Sequence, residues 1–384
     1  MKLKKTMATL LSSLMLVGVI SSINASAETD SFEEITPFLL GDVNLDGSIT
    51  ATDVLRIRSF LYGTFLPTEK QFTAMDYNQD MVIDEYDADK LFSDYTHNTI
   101  SYNYYNSYYT LPDNSTRTYY KHACDTGTSS TYSSYIIPAL SNNLSSIPFN
   151  EDELRTIGSP DNENTNCVEI TLTDYSNNEY MGSGFIIADN IIATAAHCVY
   201  GNGFMKSAKI KVYNPNCSDL YAEITGLELH IPANYTSVSS EYKSLYDYAL
   251  IYFDPNDVEY YDDDYDISDD IVDIGVMTNE FMYTDSYITI SGFTGDNTHG
   301  WRRYYSMGNI EISSPYPDYR FQSSAYSYYG QSGGMAYYKP YSTFKSTVGI
   351  VTHLYWDNDS ITRSRGVKFN TTVLRFYFQN NNIS

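Results

Sequence analysis

Residues 194–198 read Thr-Ala-Ala-His-Cys and directly follow the apolar run from Phe185 to Ile192. A buried strand that ends in a histidine holds the imidazole in a fixed place. A general base needs such a fixed ring, and it also needs a pKa near neutrality. A single histidine in an apolar context is more often structural. His197 therefore needs partners elsewhere in the chain before it indicates chemistry.

Two later motifs supply such partners. Asp247 precedes the apolar run Tyr248-Ala249-Leu250-Ile251, where its carboxylate can accept a hydrogen bond from an imidazole and fix the tautomer. Ser332 lies within Gly330-Gln331-Ser332-Gly333-Gly334, and such glycines let backbone amides turn toward one point beside the hydroxyl. We expect the amides of Gly330 and Ser332 to form this oxyanion hole. The order His197, Asp247, Ser332 predicts nucleophilic catalysis by the serine.

The three motifs resemble those of chymotrypsin-like serine peptidases, and the resemblance covers nearly all of residues 156–384. Short alternating runs in this region, such as Lys209 to Tyr213 and Tyr287 to Ser291, independently predict antiparallel sheets. The resemblance implies a mainly β fold of two six-stranded antiparallel barrels, with the triad in the cleft between them. It implies no cofactor for catalysis.

A closer resemblance is to the glutamyl endopeptidases of Gram-positive bacteria, carried by Ile290 to Asp296 and by the loop around Ser332. Those enzymes place a histidine of a Gly-Ile-His segment in the primary specificity pocket. The resemblance implies that His353 and Ser327 bind the substrate and that cleavage follows Glu or Asp. An ordinary strand histidine is the alternative interpretation of His353. Tyr329 departs from the family pattern, since many members have glycine there.

Two acidic loops precede this region. Hard calcium ions prefer oxygen ligands at alternate positions of a twelve-residue loop, with a glycine at the sharp turn. Met81 stands where the second loop should have glycine and would strain a positive φ, so this site is expected to be distorted or weaker. The expected ligands are Asp42, Asn44, Asp46, Ser48 through its carbonyl, and Asp53 in the first loop, and Asp76, Asn78, Asp80, Asp84 and Asp87 in the second.

Each loop is followed by an apolar helical pattern, and each ends in Asp rather than in the Glu of ordinary EF-hands. This tandem arrangement over residues 38–95 resembles a dockerin, a small all-α module. The resemblance implies a calcium cofactor and, as partner, a cohesin domain on a scaffold protein of a cellulosome-type complex. A single acidic loop would be explained as well by an ordinary turn, whereas two with matching spacing are not.

Residues 1–27 combine a basic start, an apolar run from Leu10 to Ile20 and the small residues Ala25-Ser26-Ala27. This pattern predicts a signal peptide, and the run is short for a membrane span. A secreted protein is expected, and a net charge of −25 argues against nucleic acid as a partner. Four cysteines permit two disulfides in an exported chain, with three possible connectivities (Cys124, Cys167, Cys198 and Cys217). Cys198 lacks the usual disulfide partner of the family, because Gly182 occupies that position.

Residues 96–155 are rich in Tyr and Ser and lack periodicity, so we expect a linker or pro-segment. The sequence around Arg155 resembles the processing junction of the peptidase family. A cut there would separate the docking module from the peptidase unless a disulfide from Cys124 retained it, or unless no cut occurs.

The sequence thus predicts a scaffold-docked serine endopeptidase. Fold alone does not establish activity, so a catalytically silent binding protein with a peptidase fold is the alternative from another class. A hydrolase of esters rather than of peptides is a second alternative.

Overall fold

The computed structural model describes residues 37–111, 119–132, 159–161, 164–284, 286–295, 302–310, 319–341, 344–357, 361–370 and 373–374. The expected signal peptide and the expected cut at Arg155 lie outside these residues. In the described part of the chain, no helix has both the length and the apolar character needed to cross a membrane.

The N-terminal module consists of helices α1 (Ala51–Leu61), α2 (Glu69–Met75) and α3 (Glu85–His97) and short strands β1 (Phe38–Leu39), β2 (Val82–Ile83) and β3 (Tyr104–Tyr105). Capping residues set where all three helices begin, and those of α1 and α3 belong to the acidic loops. The Thr50 side chain accepts from the Thr52 N–H at the start of α1, while Asp53 accepts from the Thr50 backbone. Asp84 and Asp87 form the same capping box on α3. Both helices therefore begin inside the acidic loops.

A ten-stranded antiparallel sheet follows, in the order β14-β11-β10-β7-β8-β9-β13-β12-β4-β5. Along β10 the side chains alternate between buried and partly or fully exposed, as the sequence pattern predicts. The strands of this ten-stranded sheet are β4 (Tyr119–Ala123), β5 (Thr128–Tyr132), β7 (Cys167–Thr173), β8 (Glu179–Ala188), β9 (Ile191–Thr194), β10 (Ser207–Tyr213), β11 (Leu220–Ile224), β12 (Glu228–Pro232), β13 (Ala249–Tyr252) and β14 (Val258–Tyr260).

The second sheet has seven antiparallel strands in the order β18-β21-β20-β19-β16-β17-β6. Strand β16 also packs against β7 and β8, which joins the two sheets in the chymotrypsin-like arrangement that the sequence implied. The strands are β6 (Ser159–Pro160), β16 (Tyr287–Phe293), β17 (Arg303–Asn309), β18 (Arg320–Ser323), β19 (Met335–Tyr341), β20 (Phe344–Asp357) and β21 (Ile361–Lys368).

Short helical turns connect the strands. They comprise the α-helical turns α4 (Ala196–Val199), α5 (Asn234–Ser237) and α6 (Ser240–Lys243) and the 3-10 turns Pro255–Asp257, Ile267–Asp270 and Glu280–Tyr283.

The structure differs from the sequence expectation within residues 96–155. Strands β4 and β5 lie in the stretch interpreted as a linker or pro-segment, yet β4 pairs with β12 over five residues, from Tyr119 opposite Pro232 to Ala123 opposite Glu228. An edge strand offers unpaired N–H and C=O groups to any chain segment beside it. These residues therefore extend the peptidase sheet.

The N-terminal module also pairs with the peptidase region. Strand β2 is antiparallel to β15 (Val276–Met277), with Val82 opposite Met277 and Ile83 opposite Val276. Val82 is fully buried and belongs to the same apolar cluster as Phe281, Ile288 and Phe321. The core of the second sheet thus includes a residue of the second acidic loop.

Candidate active site and calcium loops

The register of two strands brings His197 to Asp247. In the antiparallel pair of β9 and β13, Thr194 lies opposite Ala249. His197 follows β9 in α4 and Asp247 precedes β13, so both lie at the same end of the pair. His197 Nδ1 lies 2.8 Å from Asp247 Oδ2, and the His197 N–H donates to Asp247 Oδ1 at 2.8 Å. The carboxylate fixes the ring and leaves Nε2 as the nitrogen that can act as a base.

Burial and charge act against each other in this pair. Burial of Asp247 would raise its pKa, but the attraction of His197 outweighs this effect and holds the pKa below the ordinary value. Burial of His197 would lower its pKa, but the charge of Asp247 raises the pKa well above the ordinary 6.5. The pair therefore favours the imidazolium that forms when His197 takes a proton.

The loop around Ser332 requires its glycines. Gly330 and Gly333 have φ of +91° and +86°, and a Cβ at Gly333 would lie 2.1 Å from the Ser183 carbonyl oxygen. The Tyr329 carbonyl accepts from the Gly295 N–H, and the Gln331 carbonyl accepts from the Gly334 N–H. Because trans peptides point N–H and C=O in opposite directions, the amides of Gly330 and Ser332 face the other way. Neither N–H group therefore points toward the partner of its own peptide's carbonyl.

Two side chains that the sequence did not single out hold this loop. Ser183 donates through Oγ to the Gly330 carbonyl at 2.7 Å, and its N–H donates to the Ser332 carbonyl at 2.7 Å. The buried Gln331 amide accepts from the Tyr328 N–H at 2.8 Å and donates to the Tyr304 carbonyl at 2.8 Å. The sequence offered two signals for these roles: the motif Gly182-Ser183-Gly184, and the position of Gln331 directly before Ser332. Neither signal shows which backbone groups would lie within hydrogen-bond distance of the Ser183 and Gln331 side chains.

A cleft of about 610 Å³ joins the candidate residues. His197, Cys198, Gly330 and Ser332 line it together with aromatic residues that include Tyr329. The Ser332 hydroxyl lies 3.4 Å from the Thr352 carbonyl, at the long end of hydrogen-bond distance. A larger groove of about 870 Å³ lies on the outer face of the first sheet and includes none of these four residues. The chemistry of the smaller cleft makes it the candidate active site.

The structure places His353 beside His197 and Asp247. Its Nδ1 lies 3.7 Å from Asp247 Oδ2, and the two imidazole centroids are 5.5 Å apart. Ser327 is buried, and within the described part of the chain no hydrogen bond or ring contact joins it to His353.

Two arginines that no sequence motif indicated lie near His353. Arg365 is its register partner on β21. Burial lowers the pKa of His353; the attraction of Asp247 opposes this change, and the positive charges of Arg365 and Arg320 reinforce it. A positively charged region therefore borders His353.

The expected disulfides are not formed, because all four cysteines are free thiols. Cys167 is buried and Cys124 is half-buried, and burial raises the pKa of the Cys167 thiol to about 12. The structure places Gly182 beside Cys198, as the family comparison implied. A Cβ built on Gly182 would lie 3.0 Å from Cys198 Sγ.

The two acidic loops have the same hydrogen-bond pattern. In the first loop, Asp42 accepts from the N–H of Asp46 and Gly47, Asp53 accepts from Asn44, and Asp46 accepts from Ser48. In the second, Asp76 accepts from Asp80 and Met81, Asp87 accepts from Asn78, and Asp80 accepts from Val82. Gly47 and Met81 have φ of +88° and +68°, so Met81 adopts the positive φ that the loop requires.

The donor set of the second loop fits a hard cation. Asp80 Oδ2 is buried without a hydrogen-bond partner among the described residues. Burial raises the pKa of Asp76 and that of Asp84 to about 7 each, so ionised carboxylates here need a compensating charge. In the described residues, no three acidic, histidine or cysteine side chains lie close enough together to share an ion. The oxygen donors are of the type that calcium prefers.

The two packed antiparallel sheets have the fold class of chymotrypsin-like proteases. The chain belongs to the trypsin family, since residues 158–367 match the family model described as trypsin. Residues 40–92 match the model of the dockerin type I domain, so the N-terminal module is a dockerin. Dockerin domains generally bind calcium.

Several solved structures are similar to this chain. The protease Anisep from Arthrobacter nicotinovorans is 15% identical, covers 58% of this chain and 98% of its own, and has a TM-score of 0.45. A Glu endopeptidase in complex with MPD is 20% identical, with coverages of 60% and 99% and a TM-score of 0.42. No curated protein sequence matches the chain.

Proposed function

We propose that the protein is a secreted serine endopeptidase that its dockerin attaches to a cohesin-bearing scaffold of a cellulosome-type complex. His197 is paired with Asp247 and lines the same cleft as Ser332, and this is the observation that carries the catalytic part. The dockerin match and the donor sets of the two loops support the docking part, with calcium as the cofactor.

In the proposed mechanism, Ser332 Oγ attacks the carbonyl carbon of the scissile peptide while His197 Nε2 takes the hydroxyl proton. Asp247 holds the tautomer and stabilises the imidazolium. The N–H groups of Gly330 and Ser332 donate to the oxyanion of the tetrahedral intermediate. His197 returns the proton to the leaving amine, and a water molecule then hydrolyses the acyl-enzyme by the same steps.

We propose a preference for Glu or Asp at the cleaved residue. His353 and the neighbouring positive charges of Arg365 and Arg320 support this preference, because they would attract a substrate carboxylate in an otherwise acidic protein. Since the pKa of His353 is lowered, the ring carries less positive charge than an ordinary histidine at the same pH. The arginines supply the positive charge, and Ser327 is proposed to bind the carboxylate with them.

A cleavage-site profile with a peptide library tests this proposal. We expect cleavage after Glu and Asp, lost in Ser332→Ala. Arg365→Gln and His353→Asn should lower kcat/KM for acidic substrates by about 10-fold or more, while cleavage of neutral ones changes little. Lys209→Gln, a similar charge loss on the outer face of the first sheet, is the matched control. A profile without preference for acidic residues would refute the specificity.

The alternative of a silent docked protein predicts no turnover of any peptide by the folded wild type. The alternative of an esterase predicts turnover of activated esters with intact peptides in the library. The same profile, run beside an ester substrate, separates both alternatives from a peptidase.

A further inference from the structure

The second loop of the dockerin, unlike the first, is joined to the peptidase through one of its ligands. Asp84 Oδ2 accepts a hydrogen bond of 2.7 Å from Ser346 Oγ, and both residues are completely buried. Ser346 lies on β20, outside the dockerin. In the described residues, the hydrogen bonds recorded for the acidic ligands of the first loop are made within the loop itself, from Asp42 to Asp53.

Backbone contacts reinforce this junction. The Thr278 N–H donates to the Met81 carbonyl at 3.1 Å beside the β2–β15 pair. A Cβ on Gly275 would lie 3.0 Å from Ser346 Cβ and 3.3 Å from Asp84 Cβ, so the segments of the dockerin and of the peptidase approach closely here. A second contact comes from Tyr109, whose hydroxyl donates to Asp76 Oδ2 at 2.6 Å.

The same junction reaches the strand beside the cleft. The Gly275 N–H donates to the Thr347 carbonyl at 2.9 Å, and the Thr347 N–H donates to the Asp273 carbonyl at 2.7 Å. Thr347 follows Ser346 on β20, and the same strand continues to Thr352 and His353 at the candidate active site. The second loop is therefore attached to a strand that the cleft depends on.

We propose that the second dockerin loop is a structural calcium site of the peptidase, in which Ser346 orients Asp84, so that calcium binding and folding of the second sheet are thermodynamically linked. The inference rests on the proposed calcium occupancy of this loop. A ligand that binds only the folded state stabilises it, and a coupling between two sites is reciprocal. Calcium should therefore stabilise the peptidase, and loss of the Ser346 contact should weaken calcium binding.

The test uses the full-length protein and a matched pair of variants, Asp42→Asn and Asp76→Asn, which change the first ligand of each loop. Calorimetry counts calcium ions, and thermal unfolding is followed with and without chelator. At 100 times the dissociation constant, calcium should raise the Tm of the wild type by roughly 5 to 10 °C. Asp42→Asn should keep this rise, and Asp76→Asn should abolish it.

Ser346→Ala should weaken calcium binding at one site by about 10-fold, as expected when a residue that orients a ligand is lost. Ser364→Ala is the control, since it removes a buried hydroxyl from the neighbouring strand β21 without touching the loop. Hydrogen exchange gives a local readout, in which calcium should protect the amides of Thr347 to Val351.

The outcomes distinguish the linkage between calcium binding and peptidase folding from the proposed binding of calcium by the second loop. If Asp76→Asn binds one ion fewer but keeps the full rise in Tm, the linkage is refuted while the calcium assignment stands. If Asp76→Asn binds as many ions as the wild type, the calcium assignment of the second loop fails, and the inference fails with it.

Discussion

At the scale of single residues, the catalytic proposal depends on the charge state of His197. Asp247 raises the pKa of His197 above its ordinary value, and a general base must be neutral. We therefore expect kcat/KM to fall as the pH decreases through this raised pKa, with the acidic limb above pH 6.5. In Asp247→Asn the limb should move to lower pH, and kcat should drop by about 10⁴-fold. A pH–rate profile with an unshifted limb in the variant would contradict the assignment.

Gly47 gives a second prediction at this scale. Its φ is +88°, and no atom lies within 4 Å of the position that a Cβ would take. In Gly47→Ala the added methyl therefore meets no steric clash, and only the backbone strain remains, at about 1 kcal/mol. Calcium affinity of the first loop should fall by about 5-fold, measured by calorimetry. An unchanged affinity would show that this loop does not need its positive φ.

At the scale of elements, Gly182 lies on β8, and Cys198 lies in the turn α4 that follows the neighbouring strand β9. A Cβ on Gly182 would lie 3.6 Å from Cys198 Cβ, within the range of disulfides. We expect Gly182→Cys to form a disulfide with Cys198 and to stabilise the protein by about 3 kcal/mol in the oxidised form. Denaturant unfolding with and without reductant measures this gain. A free-thiol count of five in the oxidised variant would contradict the geometry.

The elements also show how far the sequence determines the structure. The strand that leads to His197 and the helices that follow both acidic loops were predictable, because their signals are local. The addition of β4 to β12 was not, since it depends on an edge that only the folded sheet creates. Similarly, Arg365 reaches His353 through the register of β20 and β21, which no local pattern specifies. The bond between Ser346 and Asp84 joins residues far apart in the sequence.

At the scale of the whole molecule, the described chain up to residue 132 and the chain from residue 159 share two strand pairs, β2 with β15 and β4 with β12. They also share a buried cluster and the ion pair of Lys121 with Glu228. A cut between residues 132 and 159, such as the expected one after Arg155, should therefore leave the two parts associated. We expect both fragments to co-elute in native gel filtration, with or without reductant, because the thiols are unpaired. Separation in native buffer would contradict this account, whereas separation in urea is expected.

The central claim is that Ser332 is a nucleophile activated by His197 and Asp247. The most direct measurement is labelling of the intact, folded protein with a fluorophosphonate, followed by peptide mass analysis. We predict one covalent adduct on Ser332, which Ser332→Ala abolishes and His197→Ala slows by several orders of magnitude. A folded wild type that does not label, or an adduct that persists in Ser332→Ala, would contradict the claim.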